Sequence, residues 1–383
     1  PTFQAEDGIL DGPQCLVGSE MCIRDRRKLR MPSDAAKIAR DGDVIEIDTG
    51  VYLNDYARWP QNNLTIRGAG TGMAHLKSTA LVPNGKAIWI TQGNNIQIEN
   101  VEFSGAAVKN TNGAGIRHEG GDLKLHNMFF HDNEFSILSG KLPQADIEIT
   151  SSRFWFQKRP TRHSHGLYIG DVRRFVLKGS HVKGTDQGHQ VKSRALENYI
   201  LYNRIEEVAR WSSSRLIDLA NCGFSIVMGN DLYQASITEN DNIIGYGPEG
   251  CTGRSDKQTK LYVINNTIVN DRHSGQFLNA KGSYKNIVAI NNIFAGKGEF
   301  PKERGLWIAN VLNDNDPDFV DREKFDYHLK PGSPAIDKAN TEFLESHQPS
   351  IDIQIFPDHE YKHKASSKKR KVKNTLDIGA FEN

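Results

Sequence analysis

The chain has 383 residues, with Lys+Arg 48 against Asp+Glu 47 and a formal net charge of +1. That balance argues against a strongly basic nucleic-acid binder and against an acidic disordered chain. No apolar run approaches the roughly 20 residues of a membrane helix, so no membrane span is expected. Four Cys are too few for a disulfide-built scaffold.

Cys15–Arg26 reads CLVGSEMCIRDR, and its back-translation matches a sequencing adapter read in one frame. Residues 1–26 are therefore expected to be non-native, and Cys15 and Cys22 are set aside with them. A native signal peptide would lie upstream. Next, Ser33 reads as the N-cap of a short helix, Asp34–Arg40, able to cover an open solenoid end.

From Leu64 onward one unit recurs: a short alternating strand, an Asn or Gly, then another apolar residue. Copies are IQIENVEF (Ile96–Phe103), LKLHNMFF (Leu123–Phe130), IEITSSRF (Ile147–Phe154) and FVLKGSHV (Phe175–Val182). YILYNRI (Tyr199–Ile205), SIVMGNDL (Ser225–Leu232), YVINNTIV (Tyr262–Val269) and IVAINNIF (Ile287–Phe294) continue the series. The spacing of about 23 to 36 residues suits stacked β-coils. Period-2 alternation predicts strands. The recurring Asn or Gly predicts left-handed corners, and stacked Asn side chains can bond coil to coil. A second strand set alternates with the first: Ala87–Thr91, Gly115–Glu119, Phe135–Ser139, Gly166–Gly170, His189–Arg194, Leu216–Asn221, Ile243–Gly247 and Gln276–Ala280. A β-sandwich would need hairpin turns about every 8–12 residues, and these are missing. The expected fold is all-β, a single-stranded right-handed parallel β-helix (a solenoid) over residues 27–312 with a short N-terminal capping helix. Residues 313–383 lose the repeat and gain Pro and charge, as a C-terminal cap or wrap would.

Alternation places Ile116, Leu167, Ile169, Val191, Ile217 and Leu219 inward. Arg117, Tyr168, Gln190, Lys192, Arg194 and Asp218 then face outward, with His165 and His189 at strand starts. With strands about 4.8 Å apart, these form one polar groove suited to an extended polymer. For an acidic, uronic-acid-containing polysaccharide, β-elimination needs a neutralised carboxylate, a base and an acid. Lys192 or Arg194 can neutralise; Lys192 can instead be the base. Tyr168 or His165 can protonate the leaving oxygen, and His189 completes the catalytic candidates. Arg117, Gln190, Asp218, Asn221 and Glu249 are candidate substrate contacts. Hydrolysis needs two carboxyl groups about 5–9.5 Å apart, for which Asp186, Asp218 and Glu249 are the candidates. Taken singly, each of these residues has a bland reading: solvated charge, corner-filling His, rim aromatic. Their density from Tyr168 to Asp218 favours function.

MPSDAAKIARDGDVIEIDTGVY (Met31–Tyr52) resembles the start of many bacterial right-handed parallel β-helix proteins. DYHLKPGSPAID (Asp326–Asp337) with DIGAFE (Asp377–Glu382) resembles their C-terminal segment. SHGLYIG (Ser164–Gly170), GHQVKSRALENYILYNRI (Gly188–Ile205), IDLANCG (Ile217–Gly223) and GYGPEG (Gly245–Gly250) are similar to one subfamily. In alginate and chondroitin lyases of this fold, a Lys on one coil acts with an Arg on the next, often with calcium. The resemblance assigns Lys192 to that Lys. Asp218–Asn221 holds no Arg, so Arg194 or Arg215 would have to substitute. Polygalacturonase motifs are only loosely echoed at Ser164–Leu167 and Gln190–Lys192, and the aspartate motifs that should precede them are absent.

The resemblance implies an exported polysaccharide lyase, periplasmic or extracellular and monomeric. A glycoside hydrolase or C5-epimerase is the alternative within enzymes, and a non-catalytic glycan-binding or surface protein the alternative outside them. Calcium is the compatible cofactor, with ligands that the sequence does not name. No zinc spacing occurs. Cys222 and Cys251, about one coil apart, are open to pairing on export or to remaining inert thiols. SSKKRKVK (Ser366–Lys373) resembles a nuclear-import signal but reads better as a surface segment of the C-terminal wrap.

Overall fold

Short alternating segments joined by a single left-handed corner residue lack the two-residue loop a tight hairpin needs, so each strand finds its partner one coil away. The computed structural model describes residues 20–23, 29–157, 164–208, 212–281, 286–301, 305–313, 317–349 and 353–383. Throughout the solenoid the pairing is parallel and joins successive coils. The fold is a right-handed parallel β-helix.

Each coil contributes three strands. Two ladders form a 21-stranded sheet, in which the long strand Thr65–Lys77 belongs to both. The third face is a separate nine-stranded sheet, running from Ala57–Trp59 to Gln276–Ala280. The corner between the two ladders is held at positive φ by Asn100, Asn127, Ser151, Tyr202, Asn265 and Asn291. The next residue points inward. There Asn203, Asn230, Asn266, Asn292 and Asn310 stack as an amide ladder. Each of the first four donates its backbone N–H and its Nδ2 to the next Oδ1 at 2.9–3.0 Å.

The interior is an apolar stack. Phe103, Phe130 and Phe154 lie face to face with centroids 5.3 Å apart. The six residues placed inward by alternation are all fully buried. At the N-terminal end, the helix is Pro32–Ile38 rather than Asp34–Arg40, and Met31 is its N-cap. Ser33 lies inside the first turn, where its backbone N–H reaches Asp55 Oδ2 at 2.9 Å. Pro at the first helical position explains the earlier start. Glu20–Ile23 adds a parallel strand beside Val44–Ile47; Cys15 lies outside the described residues.

Beyond residue 317 the chain runs back along the flank of the solenoid. Phe319, Tyr327, Leu344, Ile355 and Phe381 bury an apolar stripe made by Tyr199, Ile226, Ile264 and Ile290. Corner amides hold it: Asn265 Nδ2 donates to the Asp377 carbonyl at 2.8 Å. The basic run is part of this wrap. Ser366–Lys369 pairs antiparallel with His359–Lys362, and the Arg370 side chain is 1% exposed against Glu382.

Candidate active site

The outward row of the nine-stranded sheet runs, coil after coil, Ile90, Arg117, Leu138, Tyr168, Lys192, Asp218, Gly245 and Asn279 in register. Alternation therefore brings Arg117, Tyr168, Lys192 and Asp218 onto one line.

Lys192 is the centre. Its Nζ lies 2.6 Å from Glu249 Oε1 and 3.4 Å from Asp218 Oδ2, and its side chain is 10% exposed. Arg194, two residues on, forks onto Glu249 with contacts of 2.7 and 2.8 Å from Nη2 and donates Nη1 to the Tyr168 hydroxyl. Arg215 reaches Asp218 Oδ1 at 3.0 Å. Gly245 makes this possible: a Cβ there would stand 2.7 Å from Arg215 Cδ.

Glu249 reaches the row from a loop. Its N–H bonds the Ala220 carbonyl, and Asn221 Nδ2 reaches the Gly250 carbonyl at 3.5 Å. Cys222 and Cys251 form a disulfide that ties this loop to the preceding coil. The inert-thiol alternative is thus set aside.

His165 and His189 stack with centroids 4.9 Å apart, and His165 stacks on Tyr168 at 5.7 Å. His165 Nδ1 accepts the His189 N–H, and His189 Nδ1 accepts the Arg215 N–H. His189 Nε2 faces Asp218 Oδ2 at 3.4 Å. Burial first, then Lys192 and Arg215, push the His189 imidazole down to about 3. Held neutral, it spends its Nδ1 lone pair on the Arg215 N–H. Burial raises the Asp218 carboxyl despite its cationic neighbours. Burial opposes ionisation of Glu249 too, but hydrogen bonds from Lys192 and Arg194 outweigh it and hold the carboxyl below its ordinary value.

Two placements differ from the expected groove. Gln190 is fully buried; its Nε2 donates to the Glu206 carbonyl, because it precedes the strand proper and follows the corner inward. Asp218 is 1% exposed and orients Lys192 and Arg215 from below, so it does not present a carboxyl to a sugar. Asp186 serves the backbone, accepting the Ser212 N–H at 3.0 Å.

Clefts flank the centre. One of about 470 Å³ is lined by Arg117, Phe135, Leu138, Lys141, Tyr168, Asp171 and Arg194. Another of about 590 Å³ is lined by His189, Glu239, Asn240, Asp241, Asn242 and Arg272. Sequence reasoning missed Phe135 and Leu138 as its apolar floor. It also missed Arg254, which donates to the Arg194 carbonyl at 3.1 Å from a loop carrying no periodic signal.

Among the described residues no helix is long and apolar enough to cross a membrane. No family model matches the chain. No curated protein matches its sequence. Among solved structures, the chain is similar to one titled as the crystal structure of pectate lyase Pel9A. The TM-score is 0.60 at 14% identity, over 92% of this chain and 90% of that one. A protein of Geobacillus virus E2, ORF18, matches with TM-score 0.43 at 14% identity, over 71% of this chain and 53% of its own. The first likeness is one of fold: the chain is built as that pectate lyase is, on a parallel β-helix.

Proposed function

We propose that the protein is a polysaccharide lyase cleaving a uronic-acid-containing glycan by β-elimination in the groove along the nine-stranded sheet. The observation that carries this reading is the carboxylate held by Lys192 and the Arg194 fork beside the Tyr168 hydroxyl. Glu249 takes that place in the free protein. A substrate uronate displacing it would meet two cations, and its neutralised carboxyl group would acidify the adjacent C–H. Tyr168 and His165 stand next to this place as proton-transfer groups. Lys192, already holding two carboxylates, suits neutralisation better than proton abstraction. The apolar floor of Phe135 and Leu138 offers a sugar face a surface. The pectate lyase neighbour supports an acidic glycan as the substrate class.

Calcium belongs to the same proposal. The cleft beside His189 is lined by Glu239, Asn240, Asp241 and Asn242, oxygen donors of the kind a hard cation takes, but also by Arg272. The Asn240 and Asn242 amide oxygens already accept from Asn242 and Asn279, so an ion there would have to displace those bonds. Calcium held there would supply positive charge for the substrate. Export to the periplasm or the extracellular space is also proposed, and the Cys222–Cys251 disulfide supports it. Burial of Asp218 weighs against a two-carboxylate hydrolase. The low exposure of Lys192 beneath Glu249 favours a second reading, a non-catalytic glycan-binding protein.

The test is ultraviolet absorbance of the unsaturated uronyl product on polygalacturonate, alginate, glucuronan and glycosaminoglycans, with and without calcium. Absorbance should rise on one polymer and vanish in Lys192→Ala while circular dichroism is unchanged. Arg194→Lys should lose most turnover, because an ammonium does not reproduce the fork. New reducing ends without absorbance would instead identify a hydrolase. Inversion at C5 without cleavage would identify an epimerase, and binding without any reaction a glycan-binding protein.

A further inference from the structure

On a different face, the strands Thr65–Lys77, Val101–Ser104 and Phe129–Asn133 bring three ligand-type side chains together. The ligand atoms of His75, Glu102 and His131 all lie within 4.8 Å of one another. His75 Nδ1 is 3.4 Å and His131 Nε2 2.9 Å from the same oxygen, Glu102 Oε1. Atoms bound tetrahedrally at about 2.0–2.1 Å from a zinc ion stand about 3.3 Å apart. The two contacts to Glu102 bracket that value.

The outer contacts carry the argument further. A metal-bound His commonly uses its other ring nitrogen on a hydroxyl, carbonyl or carboxylate, which fixes the tautomer and the ring plane. Here His75 Nε2 lies 2.7 Å from Ser104 Oγ, and His131 Nδ1 lies 2.6 Å from Asp132 Oδ2. Asp132 adopts φ 53°, so an extended strand breaks its backbone pattern where this carboxylate meets the ring. Both imidazoles are thus held from behind with their other ring nitrogen turned toward Glu102 Oε1, to which His131 Nε2–H donates; an ion would take the place of that proton. The side chains are 16–22% exposed, enough for an ion to enter and keep a water ligand. Arg153 and Lys77 lie near enough to act on Glu102 and His75 respectively, and their charge opposes a cation; Glu102 and Asp132 offset it.

We propose that His75, Glu102 and His131 form a site for a divalent transition metal of zinc type, with water in the fourth position. The ion would clamp three successive coils. The site uses borderline nitrogen donors, so zinc and cobalt should bind and calcium and magnesium should not compete. The proposal is independent of the groove and of any lyase activity.

The test uses full-length protein stripped with chelator, its free thiols alkylated so that Cys15 and Cys22 do not contribute. Zinc titration should show one more equivalent bound by the native sequence than by the His75→Gln, His131→Gln double variant. Zinc should raise the Tm of the first alone. Asp132→Asn should weaken zinc binding about 10- to 100-fold. Cobalt(II), read on the unsubstituted protein, should give the intense visible bands of a four-coordinate ion. Equal zinc uptake by both proteins would overturn the proposal. So would a six-coordinate aquo-type cobalt spectrum, which decides the matter even where the double variant does not fold.

Discussion

His189 sits between Lys192, Arg215 and the buried Asp218, and its charge state is set by that company. Its folded value of about 3 lies far below the roughly 6.5 of a free imidazole. Between these values the unfolded chain binds a proton that the folded chain refuses. The stability linked to His189 is therefore complete above about pH 6.5 and is lost progressively as the pH falls toward about 3. His189→Gln keeps an acceptor for the Arg215 N–H but has no such proton. Urea unfolding at about pH 7 and about pH 4.5 should show the native sequence losing on the order of 2 kcal/mol more than the variant. Equal losses would mean that His189 is not held neutral by its surroundings. The same residue shows what sequence can reach. Alternation places Tyr168, Lys192 and Asp218 on one outward row, yet gives no measure of depth. Asp218 is buried beneath Lys192 and Arg215, whereas His189 borders the cleft of Glu239 and Arg272. Glu249 lies 57 residues from Lys192, a distance that no local pattern spans.

Among elements, the strands and corners were legible and the loops were not. Every repeat copy read from the sequence falls on a ladder strand, since period-2 alternation and a left-handed Asn corner are local properties. The capping helix starts two residues early because Pro32 is preorganised for the first turn, a stronger signal than a hydroxyl at Ser33. Gln190 turns inward because alternation holds only within the strand, which begins at Val191. The amide ladder gives these corners their rigidity, and Asn230 tests it. Its Oδ1 accepts from Asn203 N and Nδ2, and its own Nδ2 donates to the Ile200 carbonyl and to Asn266 Oδ1. Asn230→Ala strands several fully buried polar groups, each costing about 1–3 kcal/mol. A loss of about 3 kcal/mol or more is expected. Native-state hydrogen exchange should quicken first in the coils on either side, as nearest-neighbour coupling in a solenoid requires. A loss under about 0.5 kcal/mol would show that water replaces the ladder at no cost.

At the scale of the whole molecule, the solenoid core alone does not account for the fold. The outer face of one ladder carries Tyr199, Ile226, Ile264 and Ile290, which would be exposed without the C-terminal wrap. The wrap is short of regular structure and is fastened by a few polar anchors. Arg370 is one of these, with its side chain 1% exposed. Its Nη1 meets Glu382 Oε1 at 2.8 Å, its Nη2 donates to the Gly379 carbonyl at 2.6 Å, and its Nε donates to the His359 carbonyl at 3.2 Å. In sequence Arg370 is one cation in SSKKRKVK, with nothing to separate it from its neighbours. In the fold it is the residue turned inward, while Lys368 pairs with Glu360 at 51% exposure. Breaking a buried pair from one side leaves an uncompensated charge, at about 3–5 kcal/mol. Arg370→Met should therefore lower stability by that order, whereas Lys369→Met, on an exposed strand position, should change it by less than about 0.5 kcal/mol. Limited proteolysis should cut the Arg370→Met protein within residues 317–383 while the coils stay intact. Equal stability of the two variants would show that the wrap is held by its apolar contacts alone. Cutting throughout the solenoid would show that wrap and coils unfold as one unit.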